Sequence, residues 1–389
     1  MKSAYNMEWL HNLTIIKEAK QWQKSDLISS EQLMAIQTEY PSSFFHPNMM
    51  IRILLFIAAL IATMGIAGLF FLFFADGGQD AFSFAAIFYG IASLFFLEMV
   101  FIHKARHYKS GVTEAILYQS LAFIISGIIG FTDFNERVVI LSFLVLFALS
   151  AIRYHDLIST MVAMGSFVYL VFFELYQMGG IMQQSIPIAM MVLFVPIYIY
   201  FKQLKKRNHL GLWLDCLIVA EAFSLVVIYA AGNYFVVREL SEVLLNLYIA
   251  PDEEIPLSWL FYILTVVIPI LYLYFGIKKK DRVLLRISLI SLAFSVFTFK
   301  YYYSTGHHEI TFTVAGIILL ITSISLMRYL KVIRNGYTRE NILSDKWANS
   351  NAEAFIISQT LGGNKNMPAE APKQGGGGTF GGGGASGDF

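Results

Sequence analysis

Runs of almost uninterrupted apolar residues recur through most of this chain, at 52–74, 82–102, 112–131, 138–152, 156–176, 186–201, 210–232, 258–277, 283–300 and 310–328. A run of about 18 or more such residues is what an α-helix needs to cross a hydrocarbon core of about 30 Å. Inside that core no water satisfies a peptide group, so a spanning segment closes its hydrogen bonds within itself as a helix. The pattern predicts an all-α, polytopic transmembrane helix bundle of about ten spans, the fourth and sixth being the shortest. Composition agrees. Hydrophobic residues make up 57% of the chain and charged residues only 14%, whereas a soluble domain carries about 25% charged residues.

The charges between the runs orient them, because Lys and Arg collect on the cytoplasmic side. With the N-terminus inside, Arg137, Arg238 and Lys300 are the basic residues left outside; the other 25 of the 28 fall inside. Asp76, Asp80, Asp133, Glu136, Glu239, Glu242, Asp252, Glu253, Glu254 and Glu309 fill the outer side. An error in one span would move later loops across the membrane and destroy this asymmetry, so the chain reads as N-in and C-in in a bacterial inner membrane. Trp213 and Tyr329 at inner span ends, with Trp259 and Tyr301–Tyr303 at outer ones, suit the interfacial preference of amphipathic rings. Met1–Asn48 lacks the short apolar region and small-residue site of a cleavable signal.

Three parts follow: a cytoplasmic helical hairpin at 1–50, a transmembrane domain at 51–330, and a cytoplasmic tail at 331–389. In the hairpin, Leu10, Leu13, Ile16 and Ala19 recur at helical spacing, Lys24-Ser25-Asp26 interrupts, and Ser29 with Gln32 forms a capping box that opens a second helix. About 35 residues hold too small a core to stand alone, so the hairpin is expected to pack on the spans or on a protein partner. Glu239–Ile249 alternates acids with Leu240, Val243, Leu244 and Leu247 and is expected to lie along the membrane surface. The tail ends in glycine runs punctuated by Phe380 and Phe389; such a segment buries too little to offset chain entropy and reads as a tether whose two aromatics engage a protein partner.

The hairpin leading into the first span resembles a bacterial polytopic membrane family, domain of unknown function 2157. Ile16-Lys17-Glu18-Ala19 with Trp22, Leu27-Ile28-Ser29-Ser30-Glu31-Gln32, Tyr40 and the span holding Gly65 and Gly68 carry the likeness, over about the first 75 residues. Ser25-Asp26 stands where that family usually has glycine. The resemblance implies a cytoplasmic hairpin followed by many spans, and no activity. The tail is similar to the Gly-rich C-termini of bacterial membrane proteins that carry a TPM domain, through Phe380, Ala385, Ser386, Gly387 and Phe389; the TPM domain itself has no counterpart here.

Motifs of soluble enzymes are missing: there is no phosphate-binding Gly-x-x-x-x-Gly-Lys-Ser/Thr loop, no His-Glu-x-x-His and no Gly-x-Ser-x-Gly. The chain is expected to be no enzyme and to need no cofactor or metal. A net charge of +1 gives no field for nucleic acid, and a single cysteine, Cys216, excludes an intrachain disulfide and a cysteine metal cage. His103 and His107 stand at i, i+4 but among Lys104 and Arg106, with no carboxylate to complete a metal site.

Charges inside spans are costly and mark polar routes. Glu98, Glu114, Glu174 and Lys300 lie near span ends, within snorkelling reach. Asp215 and Glu221 in the seventh run are deeper, about 8 and 16 Å from its start at 1.5 Å per residue, and lie on different faces. Glu221 is either a carboxyl bonded to a neighbouring helix or part of an ion or substrate path. Pro187, Pro196 and Pro269 are read as interruptions of the sixth and eighth spans, and Gly65 with Gly68 as a close helix contact. Two functional readings follow: a membrane scaffold that recruits partners through its termini, or a transporter or channel with Glu221 in its path.

Overall fold

The structure, a computed structural model, describes residues 3–245 and 254–302 with scattered positions between 316 and 328. Its described residues divide into two compact units, residues 12–41 and the remainder. The expected tenth span lies almost wholly outside the described residues, as do Phe380, Phe389, Tyr329 and Glu309.

The first two helices are α1 (Met7–Lys24) and α2 (Ser30–Glu39). Within residues 12–41 they bury Ile15, Ala19, Trp22, Ile28, Leu33 and Ile36 together. Ser29 caps α2 as a capping box, its Oγ accepting from Gln32 N at 3.2 Å while Gln32 Oε1 accepts from Ser29 N at 2.7 Å. Asn12 Nδ2 donates to Pro41 O at 2.9 Å, closing the hairpin across its open end.

Nine helices among the described residues are long and apolar enough to cross a membrane. They are α3 (Met49–Leu72), α4 (Gly78–Phe96, continuing as a π-helical turn Leu97–Lys104), α5 (Val112–Phe131), α6 (Glu136–Tyr154), α7 (Leu157–Met178), α9 (Ile186–Leu204), α10 (Leu214–Gly232, entered by a tight turn Asn208–Trp213), α12 (Ser258–Lys278) and α13 (Arg282–Tyr302). Two shorter helices are α8 (Gly180–Gln184) and α11 (Tyr234–Leu245). No strand forms among the described residues; Phe45 and His107 make one isolated bridge. The chain is a multi-pass, all-helical membrane protein.

α6 and α9 are each 19 residues long, longer than the fourth and sixth apolar runs. Their ends recruit Glu136, Arg153 and Lys202, whose heads find partners and so need not stop the helix. α9 and α12 also run unbroken through Pro196 and Pro269, and Pro187 sits in the first turn of α9, where its missing N–H costs nothing. The expected interruptions of the sixth and eighth spans are therefore absent.

Hydrogen bonds tie the basic ends of the helices to one another: Arg52 at the start of α3 to Glu114 at the start of α5, Arg153 ending α6 to Glu98 of α4, and Trp213 before α10 to Ile152 O. At the opposite end Arg137 pairs with Glu174 and Gln79 donates to Gly130 O at 2.8 Å. α5 packs on α3, α4 and α6, while α10 is the hub of the remainder, packed by α7, α9, α12 and α13. α4 and α5 approach through glycine. A Cβ at Gly127 would stand 2.5 Å from Ser83 O, and one at Gly90 2.6 Å from Ser120 O. Gly65 and Gly68 instead face open space, with nothing within 4 Å of an added Cβ. They make no close helix contact, because α3 buries only Ala67.

α11 overlaps the start of the expected surface segment, where Leu240 is 45% exposed, while residues 246–249 lie outside the described residues. Its apolar face, with Tyr234 and Val237, is buried with Ile255 and Phe261, and Tyr234 N donates to Thr265 Oγ1 of α12 at 2.9 Å. Arg238 is buried as well, donating to Tyr234 Oη at 3.0 Å and pairing with Glu242. The helix begins five residues before the alternating acids, and its packing side is set by residues upstream of them.

Candidate functional site

α9 presents Tyr198, Lys202 and Lys205 at i, i+4 and i+7, one face of a helix. Lys202 Nζ donates to Tyr198 Oη at 2.7 Å and to Asp281 Oδ2 at 2.6 Å. Asp281 lies in the tight connection between α12 and α13, and its Oδ1 also accepts from Val283 N at 3.0 Å and Leu284 N at 3.3 Å. It is thus the N-cap of α13, where a carboxylate satisfies orphan amides and suits the positive helix end. Burial alone would raise its carboxyl; the hydrogen bond and charge of Lys202, with the cap, hold it below the usual aspartate value.

Three residues on from Lys202, Lys205 forms an ion pair with Glu221 Oε2. Glu221 is 0% exposed, because α10 is surrounded on its flanks and this face meets the packed interior with Ala220, Ser224 and Leu225. Apart from that ion pair neither carboxylate oxygen receives a hydrogen bond. Ser224, one turn on, donates to Ala220 O instead. The pair is thus charge-matched and short of protein donors. Two charges taken from water lose more than their attraction returns unless further hydrogen bonds complete them, so this arrangement adds little to stability.

A second polar group lies at the basic ends of α4–α7. Glu98 receives Arg153 on both oxygens at 2.5 Å, with Tyr154 Oη at 2.7 Å. Glu114 accepts from Arg52 at 2.5 Å, from Gly111 N at 2.8 Å and from Thr113 Oγ1 at 2.7 Å. Asp156 caps α7 through Ser159 N at 2.6 Å and accepts from Tyr118 Oη at 2.8 Å. Tyr5, from the N-terminal segment held by Ala4 N to Arg153 O at 2.9 Å, is buried among them. Its burial, then Glu114, raises its hydroxyl well above the usual tyrosine value. His155, in the left-handed conformation between α6 and α7, packs on Trp213 with ring centroids 4.5 Å apart and has no hydrogen-bond partner on either nitrogen. Burial, and then Lys109, push its imidazole down to about 4. No family model, curated protein or solved structure matches the chain.

Of the sequence-selected residues, Glu221 is at the centre of the first cluster. Asp215 is exposed on the opposite side of α10's first turns, and the structure does not bring the two together. Glu98 and Glu114 do not snorkel: each is held by an arginine from another helix. His107 meets Ser110 Oγ at 2.9 Å and packs on Phe45, whereas His103 is exposed. Lys205 and Lys202 were the residues missed. Both read as loop charges that orient the membrane, and the signal that separates them is the spacing from Tyr198 together with two acids lacking a partner.

Proposed function

We propose that this is a multi-pass protein of a bacterial inner membrane, with both termini in the cytoplasm, that moves an ion or small charged solute along a route containing Glu221. The observation that carries the reading is the fully buried Glu221 paired with Lys205 in the hub helix. Intramembrane charges that add little stability are retained for what they conduct or bind. The polar belt at the basic end supports it by supplying charged groups at one mouth of the bundle. In proteoliposomes, pyranine-reported proton movement and potassium- or chloride-driven potentials should exceed those of empty vesicles and be abolished by Glu221→Gln at equal incorporation. Indistinguishable wild-type and Glu221→Gln vesicles would end this reading.

One observation favours a second reading, a scaffold. Residues 12–41 hold a small core of their own and expose Leu27 and Met34, at 51% and 66%, apolar tips suited to a protein partner. The expected tail contacts, Phe380 and Phe389, extend the same reading. Deleting 375–389, changing Phe380 and Phe389 to Ser, and separately changing Leu27 and Met34 to Ser should each remove partners that co-purify in mild detergent. An unchanged set would leave these segments as linkers.

A further inference from the structure

At the end of the bundle away from Lys205, α7, α8, α9, α10 and α11, with Ile255, Pro256 and Phe261, line a partly open cavity of about 360 Å³. That volume lies within the range of sites built for small organic ligands, roughly 300–1,000 Å³. Its walls are aliphatic and aromatic, with Val168, Phe172, Met190, Val227, Ala231 and Val237 among them. Among the described residues the polar side chains lining it are Tyr169, Gln183, Gln184 and Ser241, and none of these lining residues is charged.

This chemistry narrows the occupant. Ordered water needs two to four polar partners, and along the aliphatic walls formed by Val168, Met190 and Val227 it would find none. A carboxylate or phosphate would have no lysine or arginine to meet it, and burying an unpaired charge is prohibitive. Gln183 and Gln184 both donate and accept, and Ser241, whose hydroxyl proton is already given to Val237 O at 2.7 Å, accepts. That is the complement of a hydroxyl, ester or amide.

We infer that the cavity binds an uncharged amphiphile, its hydrocarbon chain between α7, α9 and α10 and its alcohol, ester or amide head at the glutamines of α8. Ala230 and Ala231 keep the wall of α10 low where the chain lies, and α11 covers it, which is why an amphipathic helix packs here rather than floating at the surface. The site is separate from Glu221. Phe194, fully buried, and Ile228 fill the interior between α9 and α10, so this inference stands without the conduction reading.

The test uses the full-length protein in liposomes with a diazirine-tagged monoacylglycerol, and maps photolabelled peptides by mass spectrometry. Labelling of α9, α10 and α11 should be saturable, suppressed by excess untagged monoacylglycerol, and about tenfold weaker in Ala231→Trp, a 1.4 kcal/mol loss of affinity. Labelling of the face of α3 that carries Gly65 and Gly68, which meets open space, should be neither saturable nor altered. Ala230→Phe serves if Ala231→Trp does not yield a monodisperse protein. Tagged fatty acid and tagged phosphatidylglycerol should label the cavity no better than α3. Glu221→Gln should label like the wild type. Cavity labelling that excess monoacylglycerol fails to suppress would mean ordinary bilayer contact, and saturable labelling by either charged probe would refute the neutral class; both overturn the inference.

Discussion

Removing one charge of the Lys205–Glu221 pair should cost far more than removing both. Lys205→Met leaves a carboxylate with no exposed surface and no hydrogen-bond donor. The penalty for stranding one partner of a buried pair is about 3–5 kcal/mol. Glu221→Met removes the lysine's buried counter-charge instead. Lys205 keeps 13% side-chain exposure and caps α9 at the basic end, so its flexible stem can carry the ammonium back towards water. Its loss should fall below the lysine variant's, at about 2–3 kcal/mol. The double variant Glu221→Met/Lys205→Met buries two apolar side chains of similar size, and exchanging a whole buried pair for apolar groups is neutral or stabilising. It should therefore lie within about 1 kcal/mol of the wild type, giving a coupling of at least about 4 kcal/mol. Equilibrium unfolding in mixed micelles reads all four proteins. Single losses that simply add, with coupling within about 0.5 kcal/mol, would refute the pairing and the argument drawn from it.

The pH dependence should report His155. Its folded value, about 4, is below the unfolded value of about 6.5, so its stabilising contribution is complete above pH 6.5 and is lost as pH falls from 6.5 to 4, by about 3 kcal/mol. His155→Asn, which tolerates the left-handed backbone, should flatten that slope; an unchanged slope would assign it elsewhere. With Cys216 replaced, cysteines at Asp80 and Asp133 should react from outside intact spheroplasts and those at Lys104 and Lys279 should not; the reverse would invert the proposed orientation. Gly127→Val forces α4 from α5 and should cost about 1–3 kcal/mol, whereas Gly65→Val, facing open space, should change stability by no more than about 0.5 kcal/mol; equal effects would contradict the helix contacts.

The helices were legible because hydrophobic run length is read directly against bilayer thickness, and the capping box of Ser29 and Gln32 because its signal is local. Partner choice was not. Glu98 and Glu114 sit close to span ends, and depth alone suggested water; only the packing of α6 and the end of α4 on α5, and of α3 on α5, brings Arg153 and Arg52 to them. Helix contacts through Gly90 and Gly127 look no different in sequence from Gly65 and Gly68, since a glycine's neighbour lies on another helix. Glu221 stood out as a buried charge because nothing apolar in its run explains it. Its lysine did not, because a lysine just past a helix end has the same sequence signature whether its head turns to solvent or into the bundle.

Whether water reaches Glu221 is the direct test of the proposed route. In a protein with Cys216 replaced, Glu221→Cys should be modified by a membrane-impermeant methanethiosulfonate ammonium reagent applied to inverted vesicles. Its rate should approach that of a cysteine at Lys279 and far exceed that of one at Ala85, which is fully buried in α4. A cysteine at 221 as inert as the one at 85, from both membrane faces and in a folded protein, would contradict the account and leave Lys205 and Glu221 as a sealed internal pair.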